Sequence, residues 1–540
     1  MKKRNIRTTV AVVFFILCII FSICCMRYGI IVHANSDAAS ELLLSKHLAE
    51  KNAILSSDWF YSTELRVLNT QLIYAPLFQL TNNWSAVRFV GAIISQGILV
   101  LSYWFFTYSL RISSRCFFYT AGLLILPTSP TYALDTLFLC YYIPHISLGF
   151  LIMALFNILI NGKKKKKISH ILLISVFCLL SLGSTLGGIR QFMVTFLPLL
   201  LLCFLLMLKP LQLLSPDQAL AIRIRSFLSS REARHFGTAL LGTVFALIGY
   251  FINTRVFSKY YSFFRYDTMM LQEPSFAALQ NIGNGLMGFF GFRADLSILS
   301  LEGIASILGI VCFVLALYFS IVLFRRRDHI SSPAHAITSL FFLSTLFVNT
   351  LIFLLSGNFE IRYYIPVVVF FFPLLAIVWE NKIFAAPLPR LTKPLCGFVF
   401  AVFLLNSWFT AKPYLTRAYP APDIFPVADF LQQEGYTFGY ATFWNANIIT
   451  EQTNGEVKVS SVIDLPTPHF YRWLTLKEYQ QKEYHSGPYF LLLTRKEAEE
   501  IKDSELLKSG KETYRDDHYA IYSYPTNEVF AKTLDYLPAQ

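Results

Sequence analysis

Apolar stretches long enough to cross a hydrocarbon layer recur from residue 8 to residue 411, and short basic segments separate them. In lipid every backbone N–H and C=O must be satisfied within the protein, so runs of this kind fold as helices. Only 15% of the chain is charged, against about 25% in soluble proteins, and 55% is hydrophobic. A soluble enzyme is excluded, and the 540 residues read as a polytopic membrane protein. The apolar runs predict about eleven helices, over 8–26, 86–109, 116–130, 143–161, 168–185, 192–208, 237–255, 302–324, 334–356, 363–380 and 394–411.

Charge placement tests that count. The net charge is +13, but residues 412–540 hold 13 Lys/Arg against 18 Asp/Glu, a net of −5, which leaves +18 on residues 1–411. With the N-terminus in the cytoplasm, the basic groups fall in cytoplasmic segments: Lys2, Lys3, Arg4 and Arg7; Arg111 and Arg115; Lys163–Lys167; Lys209, Arg223, Arg225, Arg231 and Arg234; Arg325–Arg327; Lys382, Arg390 and Lys393. The first external loop, residues 27–85, has four basic and five acidic residues and so lacks a positive excess. An odd number of spans then places the acidic C-terminal region outside. Basic residues scattered through short loops are anchors of topology, not a nucleic-acid face.

Val32-His33-Ala34 resembles a signal-peptide cleavage point, but the preceding apolar core is long and Arg27 interrupts the approach, which favours an uncleaved first helix. All nine cysteines lie in or beside apolar runs without Cys-x-x-Cys spacing, so they read as buried hydrophobes and not as a disulfide or zinc framework.

The chain divides by composition into a membrane domain, residues 1–411, with long external loops 27–85 and 256–301, and a small external α/β domain, residues 412–540. In the first loop, Asp37–Leu48 carries leucines at helical spacing opposite its charges, and Leu65–Leu80 is also mostly apolar, as expected of helices lying on the outer membrane surface. The second loop contains Phe257, Tyr260, Tyr261, Phe263, Phe264 and Tyr266, followed by the glycine-rich 283–291. After Pro413, strand patterns at Val457–Val462 and Tyr489–Leu493 alternate with helical patterns at Val427–Glu434 and Arg495–Leu507.

Eight residues and one segment carry candidate chemistry. Asp37 opens an external amphipathic helix and suits a general base, although a helix N-cap explains the same residue; Glu41 and Asp58 are secondary candidates. Arg362, beside Tyr363 and Pro366 at the mouth of a late span, suits bidentate phosphate binding or interfacial anchoring. Arg190 follows Gly187-Gly188, which read as a turn, and a positive charge outside asks for an anionic partner. Asp135 and His145 flank a proline-broken stretch at or below the outer surface, and either holds a ligand or bonds within the bundle. Tyr440–Asn447 mixes rings and amides suited to carbohydrate or to core packing. No acidic pair of the metal-binding kind occurs in the external loops, so a divalent cation has weak support, and no hydrolase, protease or nucleotide motif is present.

This arrangement resembles the GT-C superfamily of polytopic membrane glycosyltransferases, which includes protein mannosyltransferases and aminoarabinose transferases. The resemblance rests on the first span, the long loop with Asp37, the late Arg362-Tyr363 with Pro366, and the external C-terminal domain. It implies an inverting transfer of a sugar from a polyprenyl-phosphate carrier to an envelope glycan, lipid or protein on the outer face, with Asp37 as base, Arg362 and Arg190 on the carrier phosphate, and no cofactor. Asp37-Ala38 stands where protein mannosyltransferases have adjacent acids, which favours metal-free chemistry. A transporter or flippase of lipid-linked glycans, and a non-catalytic envelope-assembly protein, are the alternatives.

Overall fold

A computed structural model describes residues 2–161, 167–212, 229–264, 271–326, 332–357, 360–381 and 391–538. The basic residues Lys163–Lys166, Arg223, Arg225, Arg327, Lys382 and Arg390, and Tyr266, lie outside the described residues. Among the described residues nine helices are long and apolar enough to span: Ile6–Val32, Trp84–Ser109, Ile143–Ile160, Ile168–Thr185, Arg231–Lys259, Leu301–Arg325, Pro333–Ser356, Ile361–Asn381 and Thr392–Leu415. The two remaining expected spans are shorter apolar helices, Ser114–Ile125 and Phe192–Leu208. The first ends early because Pro127 forces the residue before it out of the helical region, and Leu126 is extended with ψ 150°.

The chain forms two compact units. Unit 1 comprises residues 1–26, 95–253 and 267–416; unit 2 comprises 27–94, 254–266 and 417–540. The domain division expected from composition therefore changes: the first external loop, assigned to the membrane domain, is built together with the C-terminal region, and the second loop divides at residue 266.

Unit 1 is a helical bundle. Ile361–Asn381 is its most enclosed long helix, with 83% of its apolar window buried against 33% for Leu301–Arg325. Phe106, Phe150, Phe341 and Phe370 interlock around it, the last two at 4.8 Å between ring centroids. The glycine-rich part of the second loop is a helix, Phe276–Phe289, because Ile282, Leu286 and Phe289 recur at helical spacing and bury one face.

Among the described residues unit 2 contains eight strands: β1 (Trp59–Phe60), β2 (Phe438–Thr442), β3 (Lys458–Ile463), β4 (His469–Phe470), β5 (Thr475–Leu476), β6 (Tyr489–Thr494), β7 (Lys511–Arg515) and β8 (Tyr519–Tyr524). Six form one mixed sheet in the order β4-β3-β2-β6-β8-β7, with β2 parallel to both neighbours. The central strands carry near-continuous apolar runs such as Tyr489–Leu493, as strands covered on both faces require. The α/β expectation for the C-terminal region holds.

The leucines of the first loop do not make a membrane-facing stripe. In the helix Ser36–Lys51, Leu42, Leu43, Leu44 and Leu48 are buried in one core with Trp59, Tyr61, Leu491 and Tyr522. Strand β1 pairs with β5, Arg88 forms a bidentate pair with Glu451 at 2.5 Å in each arm, and Trp84 N donates to Asn454 Oδ1 at 3.0 Å. Amphipathic spacing alone does not distinguish a lipid surface from a sheet as the apolar partner.

Candidate active site

Unit 1 holds five of the eight predicted residues. Asp135 sits in a π-helical stretch, Ala133–Phe138, and Arg190 lies two residues before another, Phe192–Phe196. Such wide turns are a common device at functional sites. Ser129 caps the short helix leading to Asp135, its Oγ accepting from Tyr132 N at 3.3 Å, and Gln96 Nε2 donates to Thr136 O at 2.6 Å. Asp135 is thereby held 2% exposed.

Arg190 is placed by aromatic rings. Its Nη1 donates to Tyr142 OH at 2.8 Å, and its guanidinium carbon lies 5.3 Å from the Tyr142 ring centroid and 4.9 Å from that of Tyr363. The turn before it needs a glycine, since Gly188 has φ 151°, so the turn reading is right for the glycine and leaves Arg190 to be explained by its partners. The His145 ring lies 6.2 Å from that of Tyr142, centroid to centroid.

Arg362 and Tyr363 belong to a single 3-10 turn, Ile361–Tyr364. Tyr364 is fully buried, with its OH 2.5 Å from Thr350 Oγ1, and Pro366 opens the following helix. Upstream, Pro333–Ser356 ends at Gly357 with φ 62°, where a Cβ would stand 1.9 Å from Gln272 Oε1. The anchored tyrosine and closed helix end fix where Arg362 can be.

The electrostatics join these pieces. Burial pushes the Asp135 carboxyl up to about 7; Arg362 and Arg190 pull it down and Glu360 pushes it up. Asp135, Arg190, Arg362 and Tyr363 therefore act within one field, and the site gains or loses a negative charge near neutral pH. The Arg190 guanidinium beside two rings, the Arg362 guanidinium in the same field and one carboxyl of adjustable charge suit a phosphate oxyanion. Among the described residues no three His, Cys, Asp or Glu side chains are grouped to hold a metal ion.

Asp37 and Glu41 belong to unit 2. Asp37 is not the cap of its helix: Asn35 is, its Oδ1 accepting from Ala38 N at 2.9 Å. Asp37 lies half-buried in the first turn. Burial and the Asp37 charge raise the pKa of Tyr471, which stacks with Trp473 at 6.2 Å and 17°. Glu41 is 4% exposed and accepts from Arg66 and Thr70, so it serves the core of unit 2. Asp58 pairs with Lys51 at 3.2 Å.

In the Tyr440–Asn447 segment packing prevails: Tyr440 is buried against Tyr489, Asn447 donates to Leu474 O at 3.0 Å, and only Trp444 is widely exposed. Sequence reasoning missed Tyr142 and Tyr471. Tyr142 lies three residues before His145 in the proline-broken stretch, but nothing local indicates that its hydroxyl meets a residue 48 positions away.

Neither a family model nor a curated protein sequence matches the chain. Its fold matches that of crystal structures of ArnT from Cupriavidus metallidurans. The apo state aligns with TM-score 0.57 at 11% identity, over 96% of this chain and 98% of that one. The form bound to undecaprenyl phosphate aligns with TM-score 0.57 at 10% identity and the same coverage. The chain thus has the ArnT fold along nearly its whole length, as the GT-C resemblance implies.

Proposed function

We propose that this protein is a membrane glycosyltransferase that moves a sugar from a polyprenyl-phosphate carrier to a hydroxyl acceptor of the cell envelope. The observation that carries the reading is the gathering of Arg190, Arg362 and Tyr363 about the adjustable charge of Asp135, in a fold shared with a protein that holds undecaprenyl phosphate. A prenyl-linked sugar phosphate presents a phosphate oxyanion at the end of a lipid. Fixed guanidinium groups meet that charge more strongly here than they would in water.

In the proposed reaction Asp37 takes the proton of the acceptor hydroxyl. The acceptor oxygen bonds to the anomeric carbon, the bond from that carbon to the phosphate oxygen breaks, and its electron pair leaves on the phosphate. Arg190 and Arg362 neutralise the charge that accumulates there, with no cofactor in the scheme. A single displacement of this kind inverts the anomeric configuration. The reaction is assigned to the outer face, with the N-terminus in the cytoplasm and residues 417–540 external; the excess of +18 before residue 412 supports that orientation.

The test is label transfer by the purified full chain in lipid, from radiolabelled polyprenyl-phosphate sugars to an envelope extract. Replacing Asp37 by Asn removes a general base, and transfer should fall about 10²–10⁴-fold. Transfer that persists at the wild-type rate in Asp37→Asn would show that Asp37 is not the base.

A further inference from the structure

The opposite end of the helix Ile361–Asn381 from Arg362 carries a second basic site. The 18 residues from Arg362 to Glu380 correspond to roughly 27 Å of helix rise, so this site is distinct from the one described above. A cavity of about 720 Å³ opens there in unit 1, lined by Arg7, Arg115 and Lys393 together with Tyr119, Trp379 and Glu380. Tyr119 and Trp379 stack at 5.7 Å and 9°, and both meet Phe400 edge to face.

Three cations face one carboxylate, and that carboxylate is engaged from its own side. Glu380 Oε2 accepts from Ser113 Oγ at 2.8 Å and from Cys116 Sγ at 3.1 Å. Among the described residues Arg7, Arg115 and Lys393 form no ion pair, and Arg115 Nε is buried with no hydrogen-bond partner. A buried donor without a partner is costly, and here it stands beside a cavity of net positive charge. The remaining lining is apolar: Ile6 and Val10 are 62% and 53% exposed on the first span.

We propose that this cavity binds the phosphodiester headgroup of an anionic phospholipid. Arg115 contacts the phosphate, Lys393 and Arg7 supply its surrounding positive field, and the stacked Tyr119 and Trp379 border the glycerol at headgroup depth. The exposed Ile6 and Val10 continue along the acyl chains, which distinguishes a lipid from a free phosphate ion as the occupant. The charge rule assigns this end to the cytoplasmic leaflet, whose anionic lipids attract such clusters.

The full chain is reconstituted with phosphatidylcholine and phosphatidylglycerol, and the lipid retained after detergent extraction is counted by native mass spectrometry. Wild type should retain phosphatidylglycerol over phosphatidylcholine, and R115Q/K393Q should lose about tenfold or more of that preference. E380Q works in the opposite direction and should raise retention, a result that misfolding does not produce. Equal retention of the two lipids by wild type, or unchanged preference in both variants, overturns the proposal. Displacement of the lipid by millimolar inorganic phosphate identifies the occupant as a free anion and overturns it as well.

Discussion

Unit 1 and unit 2 use arginine in opposite ways. In unit 2, Arg88 and Arg66 are closed off by Glu451 and Glu41, with the side chains of the first pair 5% and 4% exposed. The first pair ties the start of the helix Trp84–Ser109 to the C-terminal region, and the second closes the first loop on itself. In unit 1, Arg190 rests on the rings of Tyr142 and Tyr363, and its field and that of Arg362 reach a carboxyl that burial holds near neutrality. An arginine matched in bidentate fashion by a carboxylate ties two segments of chain together, whereas one resting on rings is held by aromatic faces beside a protonatable acid. The first arrangement serves the fold, and the second is the one the proposed reaction uses.

The largest expected effect breaks the structural side of this contrast. Glu451→Ala leaves the Arg88 charge buried and should destabilise unit 2 by about 3–5 kcal/mol, read as protease sensitivity of residues 417–540 and a lowered unfolding midpoint. An unchanged midpoint would mean that the pair does not tie Arg88 to the C-terminal region. Next comes the functional side. Arg362→Ala should lower transfer about 10²–10³-fold while leaving the unfolding midpoint within a few degrees of wild type. If transfer and stability fall together, Arg362 belongs with Arg88 and not with the site.

The smallest effect sharpens the role of Asp135. Its folded-state pKa of about 7 lies far above its ordinary 3.8, so the neutral form dominates below pH 7 and the carboxylate above it. Because a sugar phosphodiester keeps one fixed negative charge, its affinity should decline as pH rises through about 7, when the carboxylate offsets one guanidinium. Asp135→Asn should flatten that decline. A profile identical to wild type would place the titration elsewhere.

Much of this architecture is legible in the chain because it follows from local pattern. Apolar length and charge placement predict every long span, and apolar periodicity predicts β3 and β6 and the helices Phe425–Gln433 and Arg495–Glu500. Arg190, Arg362, Tyr363, Asp135 and His145 are noticeable because charge or polarity at such positions is costly. Partnership is not legible. That Glu41 would meet Arg66, 25 residues on, or Arg88 meet Glu451, 363 residues on, depends on tertiary packing that no local spacing encodes. The same holds for the leucines of Ser36–Lys51: their periodicity predicts an apolar partner without saying that a sheet supplies it. Asp37 is ambiguous in sequence because Asn35, Ser36 and Asp37 can each cap a helix, and only the observed Asn35 cap resolves it.

Equilibrium binding of polyprenyl phosphate to the purified full chain in neutral lipid tests whether the arginines of unit 1 hold a carrier phosphate. Wild type should bind, and Arg190→Ala and Arg362→Ala should each weaken binding about tenfold or more, as loss of a charge-assisted contact requires, with unfolding midpoints near wild type. Binding of equal strength in wild type and both variants would contradict the account.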